Sequence, residues 1–388
     1  MASTKSRVVD VHTHMYPPSY IDILRSRSEI PVVRSFPQAP DHPRLVLLAA
    51  EQPALDAALA DPTAAVQPPG RPLTPHYADL AQKLHFMDTH AIDISVLSLA
   101  NPWLDFVAPD DAPGLARQVN AEFDAMCASR PGRLFFFAAL PLTAPAPAIL
   151  ESVAHVRGLP HCRGVILGTS GLGEGLDDPA LLPILRRLAD ADLPVFLHPH
   201  YGLPNEVWGP RAAAEYGHVL PLALGFPVET TVAVARMYLA GVFDAVPALR
   251  MLLAHSGGTL PFLAGRIESC IVHDGQLLRE GRAGKGKGRR TIWDVLREQV
   301  YLDAVVYSEV GLKAAIGAAG GAGRLMFGTD HPFFPPLESD EQGEWESVGL
   351  NARAVMDAVG EDSEEARGIM GENAVRILRL EMDQPATL

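Results

Sequence analysis

Eight short runs of β-branched, leucine-rich and aromatic residues recur along the chain, at 8–14, 94–99, 134–140, 163–168, 194–199, 250–255, 299–303 and 324–328. Runs of this length bounded by turn residues read as strands, and the segments between several of them carry a helical period. Asp178-Pro179, for example, offers a cap and a first helical residue, after which Leu181, Leu182, Leu185, Leu188 and Ala189 fall on one side. Alternating strand and helix predicts an α/β fold with a parallel sheet and helices outside. Eight units predict closure into a (β/α)8 TIM barrel, with a doubly wound open sheet as the alternative. At 388 residues the chain is long enough to be one barrel domain over 1–388. Two spacings break the repeat, giving insertions at about 15–80 and 200–230. Their prolines and glycines (Pro17-Pro18, Pro68-Pro69-Gly70, Pro204, Gly209-Pro210) predict ordered loops and short helices covering the barrel mouth.

In a parallel barrel the active site lies at the carboxyl ends of the strands. The first run, Val8-Val9-Asp10-Val11-His12-Thr13-His14, ends in two histidines that a strand's period of two places on one face. The fifth ends in His198-Pro199-His200, the sixth in His255 and the eighth in Asp330-His331. One histidine after a strand is ordinary, but four strand ends of eight carrying His or Asp point to a metal centre. Imidazoles with one carboxylate suit a borderline ion such as Zn²⁺ with a position left open, which makes His12, His14, His198 and Asp330 the expected ligands. His200 shares the parity of His198 and competes for its place. His255 is either a further ligand or an acid–base group beside the ion. Asp10 lies on the His12 face but deeper, as a supporting hydrogen-bond partner.

Hydrophobic residues at 48% and charged residues at 20% describe an ordinary globular chain, and a net charge of −14 argues against a nucleic-acid groove or an anionic membrane surface. A small molecule is the expected partner. The apolar stretch Val219 to Val246 is broken by Glu229, Arg236 and Asp244, so no membrane span is expected. Cys127, Cys162 and Cys270 match neither a zinc knuckle nor a redox pair, which fits a reducing, cytoplasmic setting. The run Gly284-Lys285-Gly286-Lys287-Gly288-Arg289-Arg290 reads as a solvated loop.

His12-x-His14, Leu197-His198-Pro199-His200, Leu253-Ala254-His255-Ser256-Gly257-Gly258 and Phe327-Gly328-Thr329-Asp330-His331-Pro332 together resemble the aminocarboxymuconate-semialdehyde decarboxylase branch of the amidohydrolase superfamily. Within that branch, Ser98-Leu99-Ala100-Asn101-Pro102-Trp103, Gly168-Thr169-Ser170-Gly171-Leu172-Gly173 and His331-Pro332-Phe333-Phe334-Pro335-Pro336 are similar to members acting on uracil-5-carboxylate in pyrimidine salvage. The resemblance implies an amidohydrolase-type barrel, one Zn²⁺ held by His12, His14, His198 and Asp330, non-oxidative loss of CO₂, and no organic cofactor. Binuclear members of the superfamily bridge two ions with a lysine at the end of strand four, where this chain has Gly164-Val165-Ile166-Leu167-Gly168-Thr169. One ion per subunit is therefore expected.

The proton that replaces CO₂ is expected from Asp330 or from His255. For substrate contacts, Arg71 offers a forked donor, Asn101 a donor and an acceptor, and Phe333 and Phe334 a stacking face. Arg266 lies well along the helix after strand six and points away from its own pocket; the resemblance implies that it reaches a neighbouring subunit, hence a homodimer. The same ligands would also serve a mononuclear hydrolase of an ester, lactone or amide, or a sibling decarboxylase acting on a hydroxybenzoate or aminocarboxymuconate semialdehyde.

Overall fold

The structure, a computed structural model, describes residues 7–37, 39–47, 51–61, 68–209, 216, 219–280, 289–336 and 343–380. Pro210 and residues 284–288 of the expected Gly- and Lys-rich loop lie outside the described residues. The strands in chain order are β1 (Val9–His14), β2 (Val32–Phe36), β3 (Ala39–Val46), β4 (Arg71–Pro72), β5 (Ile94–Ser98), β6 (Leu134–Ala139), β7 (Cys162–Gly168), β8 (Val195–His198), β9 (Met251–Leu253), β10 (Val300–Asp303) and β11 (Leu325–Met326). Eight of them form one parallel sheet in the order β1-β5-β6-β7-β8-β9-β10-β11, and each matches one of the eight runs read from the sequence, seven lying within their runs and β7 beginning one residue earlier, at Cys162. The chain folds as a (β/α)8 barrel.

Both faces of a barrel strand are covered, so the strands read as continuous apolar runs. In β6, Leu134, Phe135, Phe136, Phe137, Ala138 and Ala139 are all buried. The helix Leu182–Asp190 buries Ile184, Leu185 and Leu188 against this core, after a 3-10 turn in which the Asp178 carboxylate accepts from Ala180 N. β11 is only two residues long, and the barrel closes through the irregular segment after it. There Val11 N donates to Phe327 O (3.0 Å), Asp330 N to His12 O (2.7 Å) and His14 N to His331 O (2.7 Å).

The first insertion contains short helices, Pro18–Ser26 and Gln52–Ala60 among them, together with strands that the sequence reading did not include. It contains an antiparallel sheet in the order β2-β3-β4, with a small core of Val32, Phe36, Val46, Leu55 and Ala58. Val32 and Phe36 face this small core, while Val33 and Leu45 on the opposite face pack into the main core, so the sheet is buried on both sides here. The sheet places Arg71, on β4, opposite Leu45. No helix among the described residues is long and apolar enough to cross a membrane.

Candidate metal centre

Ligand atoms from His12, His14, His198 and Asp330 all lie within 4.8 Å of one another, and all four residues are buried. In each imidazole Nδ1 is already engaged: His12 with Asp303 Oδ2 (2.6 Å), His14 with Ser98 Oγ (2.9 Å) and His198 with Pro199 O (2.8 Å). Each Nε2 is buried without a hydrogen-bond partner. Asp330 Oδ1 stands 3.3 Å from His12 Nε2 and 3.5 Å from His14 Nε2, close but not aligned as hydrogen bonds. Three imidazole nitrogens and a carboxylate aimed at one point are what a divalent ion requires, because a ligating histidine must have its other nitrogen fixed by a donor–acceptor contact. The donor set fits a divalent metal.

Local backbone features make this convergence possible. A Cβ on Gly328 would lie 2.7 Å from His12 Cβ, so only glycine lets the exit from β11 pass this close to β1. A Cβ on Gly168, at the end of β7, would lie 2.5 Å from Trp103 Cζ3 and 2.7 Å from His200 Nδ1. The charges follow the geometry. Burial works against a charged His12, but the Asp330 and Asp303 carboxylates outweigh it and hold the ring up at about 10 in the absence of metal. Burial pulls His14 down to about 4 and His198 well below the ordinary histidine range, the latter helped by the neighbouring rings. Burial works against an ionised Asp330, but the charge of His12 and the close approach of the His12, His14 and His255 rings outweigh it and hold the carboxyl well below the usual range. Without metal the site presents an anionic carboxylate and the lone pairs of His14 and His198, and an incoming cation displaces a proton from His12.

The chain around the ligands sorts the remaining candidates. His255 Nε2 is 3.6 Å from Asp330 Oδ2 and its ring is 5.3 Å from that of His198, beside the ligand set and outside it. His200 lies with Nε2 2.9 Å from Asp105 Oδ2, at ion-pair distance without hydrogen-bond alignment, and is not among the converging ligands. Phe333 packs edge-on to His14 at 5.5 Å between ring centroids, and the Arg71 guanidinium lies 4.5 Å from the Phe333 ring. Arg71 Nε and one terminal nitrogen are buried without a partner. Asn101 is buried, and its Nδ2 donates to His200 O at 2.6 Å, which leaves Oδ1 as its main offering to a ligand. Arg266 is exposed on the helix Leu260–His273 and is not brought to the site of its own chain. Phe334 is 46% exposed and meets Tyr307, so of the two phenylalanines only Phe333 faces the ligands.

The family model described as Amidohydrolase matches residues 9–380, from the first barrel strand to the last described helix. This chain belongs to the amidohydrolase family. It is similar to Metarhizium anisopliae IDCase, whose crystal structure in apo form has 70% sequence identity and a TM-score of 0.94 over 98% of this chain and 99% of that one. It is 30% identical over 302 residues to the 2-amino-3-carboxymuconate-6-semialdehyde decarboxylase of Dictyostelium discoideum, covering 75% of this chain and 74% of the relative. A 5-carboxyvanillate decarboxylase from Novosphingobium aromaticivorans, crystallised with manganese and 4-hydroxy-3-methoxy-5-nitrobenzoic acid, shares the fold at 21% identity and a TM-score of 0.70, covering 98% of this chain and 97% of that one.

Three residues of this amidohydrolase site escaped the sequence reading. Asp303, at the end of β10, accepts from His12 Nδ1, His255 N (3.0 Å), Ser256 N (2.8 Å) and Val305 N (3.0 Å); the rule about strand ends that found the other ligands points to it as well. Glu229 accepts from His200 N (2.9 Å), Gly202 N and Thr169 Oγ1, pinning the loop after β8 to the end of β7. Its signal was an acidic residue inside an apolar helix, which had been read only as an argument against a membrane. Lys83 is fully buried on the helix Leu80–Thr89, in register with Leu80, Phe86 and Met87 on the inward stripe. Asp10 proves to be a buried hydrogen-bonding residue, with Oδ2 2.7 Å from Thr329 Oγ1.

Proposed function

We propose that the chain is an isoorotate decarboxylase, converting uracil-5-carboxylate to uracil and CO₂ without oxidation and with a single divalent ion. The observation that carries this reading is the convergent, buried His12–His14–His198–Asp330 set with Arg71 and His255 at its side, in a chain 70% identical to an IDCase. An ion held by His12, His14, His198 and Asp330 would supply Lewis acidity that orients and polarises the carboxylated ring. Zinc is the proposed ion, since three imidazoles and one carboxylate suit a borderline cation.

Arg71 brings two unsatisfied donors to an anionic group, and Phe333 lays an apolar face beside His14 for the pyrimidine ring. Asn101 Oδ1 reads a ring N–H. His255 delivers the proton to C5: histidine is the side chain that readily holds and gives up a proton near neutrality, while Asp330 stays ionised beside it. As C5 becomes tetrahedral, the bond to the carboxylate breaks, its electron pair restores the C5–C6 double bond, and CO₂ departs. The balance is one proton in and one CO₂ out.

The chain acts as a single domain and as a cytosolic homodimer in this reading. Its three cysteines are free, and Arg266 shares a helix face with Phe262, four residues earlier and 84% exposed. Such a face is suited to a second copy, whose site Arg266 then enters. The test is direct. Purified protein is incubated with uracil-5-carboxylate while uracil and CO₂ are followed, then chelated, then reloaded separately with zinc and with manganese. Uracil formation that survives complete metal removal refutes the mechanism, and absence of uracil with fully loaded protein refutes the substrate. The curated relative at 30% identity makes aminocarboxymuconate semialdehyde the comparison substrate.

A further inference from the structure

Three of the four candidate metal ligands sit on the two sides of the weakest join in the barrel. Every other neighbouring pair of barrel strands shares a ladder, from β1–β5 round to β10–β11. Between β1, with His12 and His14, and the segment after β11, with Asp330, the described residues show one isolated bridge, Thr13 to His331, and a few backbone hydrogen bonds. Side chains reinforce this seam on both flanks of Asp330. On one flank, Asp10 accepts from Thr329 Oγ1 (2.7 Å), Thr329 N (3.1 Å) and His12 N (3.1 Å). On the other, Lys83 Nζ lies 2.6 Å from Thr13 Oγ1 and 2.6 Å from His331 Nδ1, and Thr13 Oγ1 donates on to His331 O at 3.3 Å. The His331 ring is packed by Phe86 at 3.8 Å and Trp345 at 4.5 Å, so it is a rigid anchor for the lysine.

We propose that Lys83 is a positioning residue of the metal centre, whose Nζ fastens His331 to Thr13 and so sets the separation of Asp330 from His12 and His14. Lys83 touches no converging ligand atom, and its effect passes through the two residues that adjoin Asp330 and separate the two strand-one histidines. A fully buried ammonium is costly to desolvate, and an apolar side chain would fill the inward stripe of its helix at no such cost. What the lysine adds is two directed hydrogen bonds across the seam. Metal sites lose affinity when the groups orienting their ligands are removed, by about 10- to 100-fold, and they tolerate ligand displacements of only about 0.5 Å.

The inference rests on the divalent-metal reading of the site and not on the identity of the substrate, so its test is metal binding. Metal-free full-length protein is titrated with zinc against a chromogenic chelator, and thermal unfolding is recorded with and without metal, for wild type, Lys83→Met and Thr13→Val. Lys83→Met keeps an unbranched side chain one atom shorter and removes both hydrogen bonds. We expect its zinc Kd to rise about 10- to 100-fold, with a smaller rise in the same direction for Thr13→Val. A purely structural lysine would lower the unfolding temperature equally with and without zinc and leave the Kd alone. Wild-type Kd in both variants overturns the proposal while the metal centre stands. Failure of wild type to bind an ion at one per chain overturns the metal centre itself. If Lys83→Met does not fold, Thr13→Val decides: an unchanged Kd overturns the proposal and a weakened one supports it.

Discussion

Replacing Asp303 by Asn separates the electrostatic part of the site from its shape. The two side chains are nearly isosteric, but the carboxylate accepts four hydrogen bonds, two at each oxygen: His12 Nδ1 (2.6 Å) and His255 N (3.0 Å) at Oδ2, Ser256 N (2.8 Å) and Val305 N (3.0 Å) at Oδ1. An amide can accept only on its oxygen side, so one pair of donors is left facing an NH₂ group. At about 1.5–3 kcal/mol for each hydrogen bond to a charged group, two lost bonds cost roughly 3–6 kcal/mol. That total is an upper bound, because His12 can escape by moving its remaining proton to Nε2 and accepting at Nδ1. The escape ruins the ligand, since Nε2 is then no longer a lone-pair donor to the ion. We therefore expect Asp303→Asn to fold less stably and to bind zinc about 10- to 100-fold more weakly, close to 1.4–2.8 kcal/mol. Chelator-competition titration gives the affinity and thermal unfolding of the metal-free protein gives the stability. A zinc Kd within twofold of wild type, in a variant whose unfolding temperature is also unchanged, would refute the assignment of Asp303 as the group that orients His12.

Arg71→Ala is expected to lower kcat/KM for uracil-5-carboxylate by about 10- to 100-fold through loss of a charged hydrogen bond, leaving the metal Kd alone; steady-state kinetics with an unchanged kcat/KM would remove Arg71 from the site. His255→Asn is expected to retain its metal and lose about 10²- to 10⁴-fold in kcat, and full turnover in the metallated variant would exclude His255 as the proton source. Metal binding is expected to expel a proton from His12, which is held at about 10 by Asp330 and Asp303 against its burial. Zinc affinity should then rise up to about tenfold per pH unit between roughly 7 and 10, and calorimetry in two buffers of different ionisation enthalpy should detect that proton. The same ring lies above its unfolded value of 6.5, so in metal-free protein its stabilising contribution is complete below that value and is lost as pH rises through about 10. Gly328→Ala would place a Cβ 2.7 Å from His12 Cβ and 2.9 Å from Val305 Cγ2, and is expected to destabilise by about 1–3 kcal/mol and to weaken zinc binding; denaturant unfolding and chelator titration check both.

The barrel and the convergence of its four candidate ligands were legible because they rest on local properties. A strand end is visible as the last residue of an apolar run, and the alternation of β1 alone places His12 and His14 on one face. What could not be read depends on contacts between distant parts of the chain. The partner of His12 is 291 residues away, and nothing in the β10 sequence distinguishes an aspartate that orients a ligand from one that merely caps a strand. Lys83 and His331 are 248 apart, and a lysine on an amphipathic helix ordinarily extends to solvent, so its burial appears only when the seam is assembled. The β2-β3-β4 sheet was hidden for a related reason: a two-residue strand such as β4 carries no period, and β3 contains Pro40 and Pro43, which weaken any strand signal. Arg71 was found as a forked donor in an insertion, but its approach to Phe333 follows from that unread sheet.

The backbone shows where stability has been given up for the site. Of the ten non-glycine residues with positive φ among the described residues, six lie after barrel strands at the carboxyl end: Trp103, His255, Ser256, Tyr307, Asp330 and Phe334. A left-handed conformation costs an ordinary residue roughly 1–2 kcal/mol, so it persists only where other contacts over-determine it. Those contacts are present. Asp303 accepts from the backbone of both His255 and Ser256, Asn351 Oδ1 accepts from Tyr307 N, and His12 O accepts from Asp330 N. Glycine would relieve the strain, and the chain does use it immediately afterwards, at Gly257 and Gly258 with φ of 74° and 66°. At positions 255 and 330 it does not, because a glycine there would remove the imidazole and the carboxylate that stand 3.6 Å apart beside the ligand set. The strain therefore sits where a side chain is needed for the proposed chemistry, and at His255 and Ser256 it is held by hydrogen bonds to Asp303, the residue that also fixes the His12 ring.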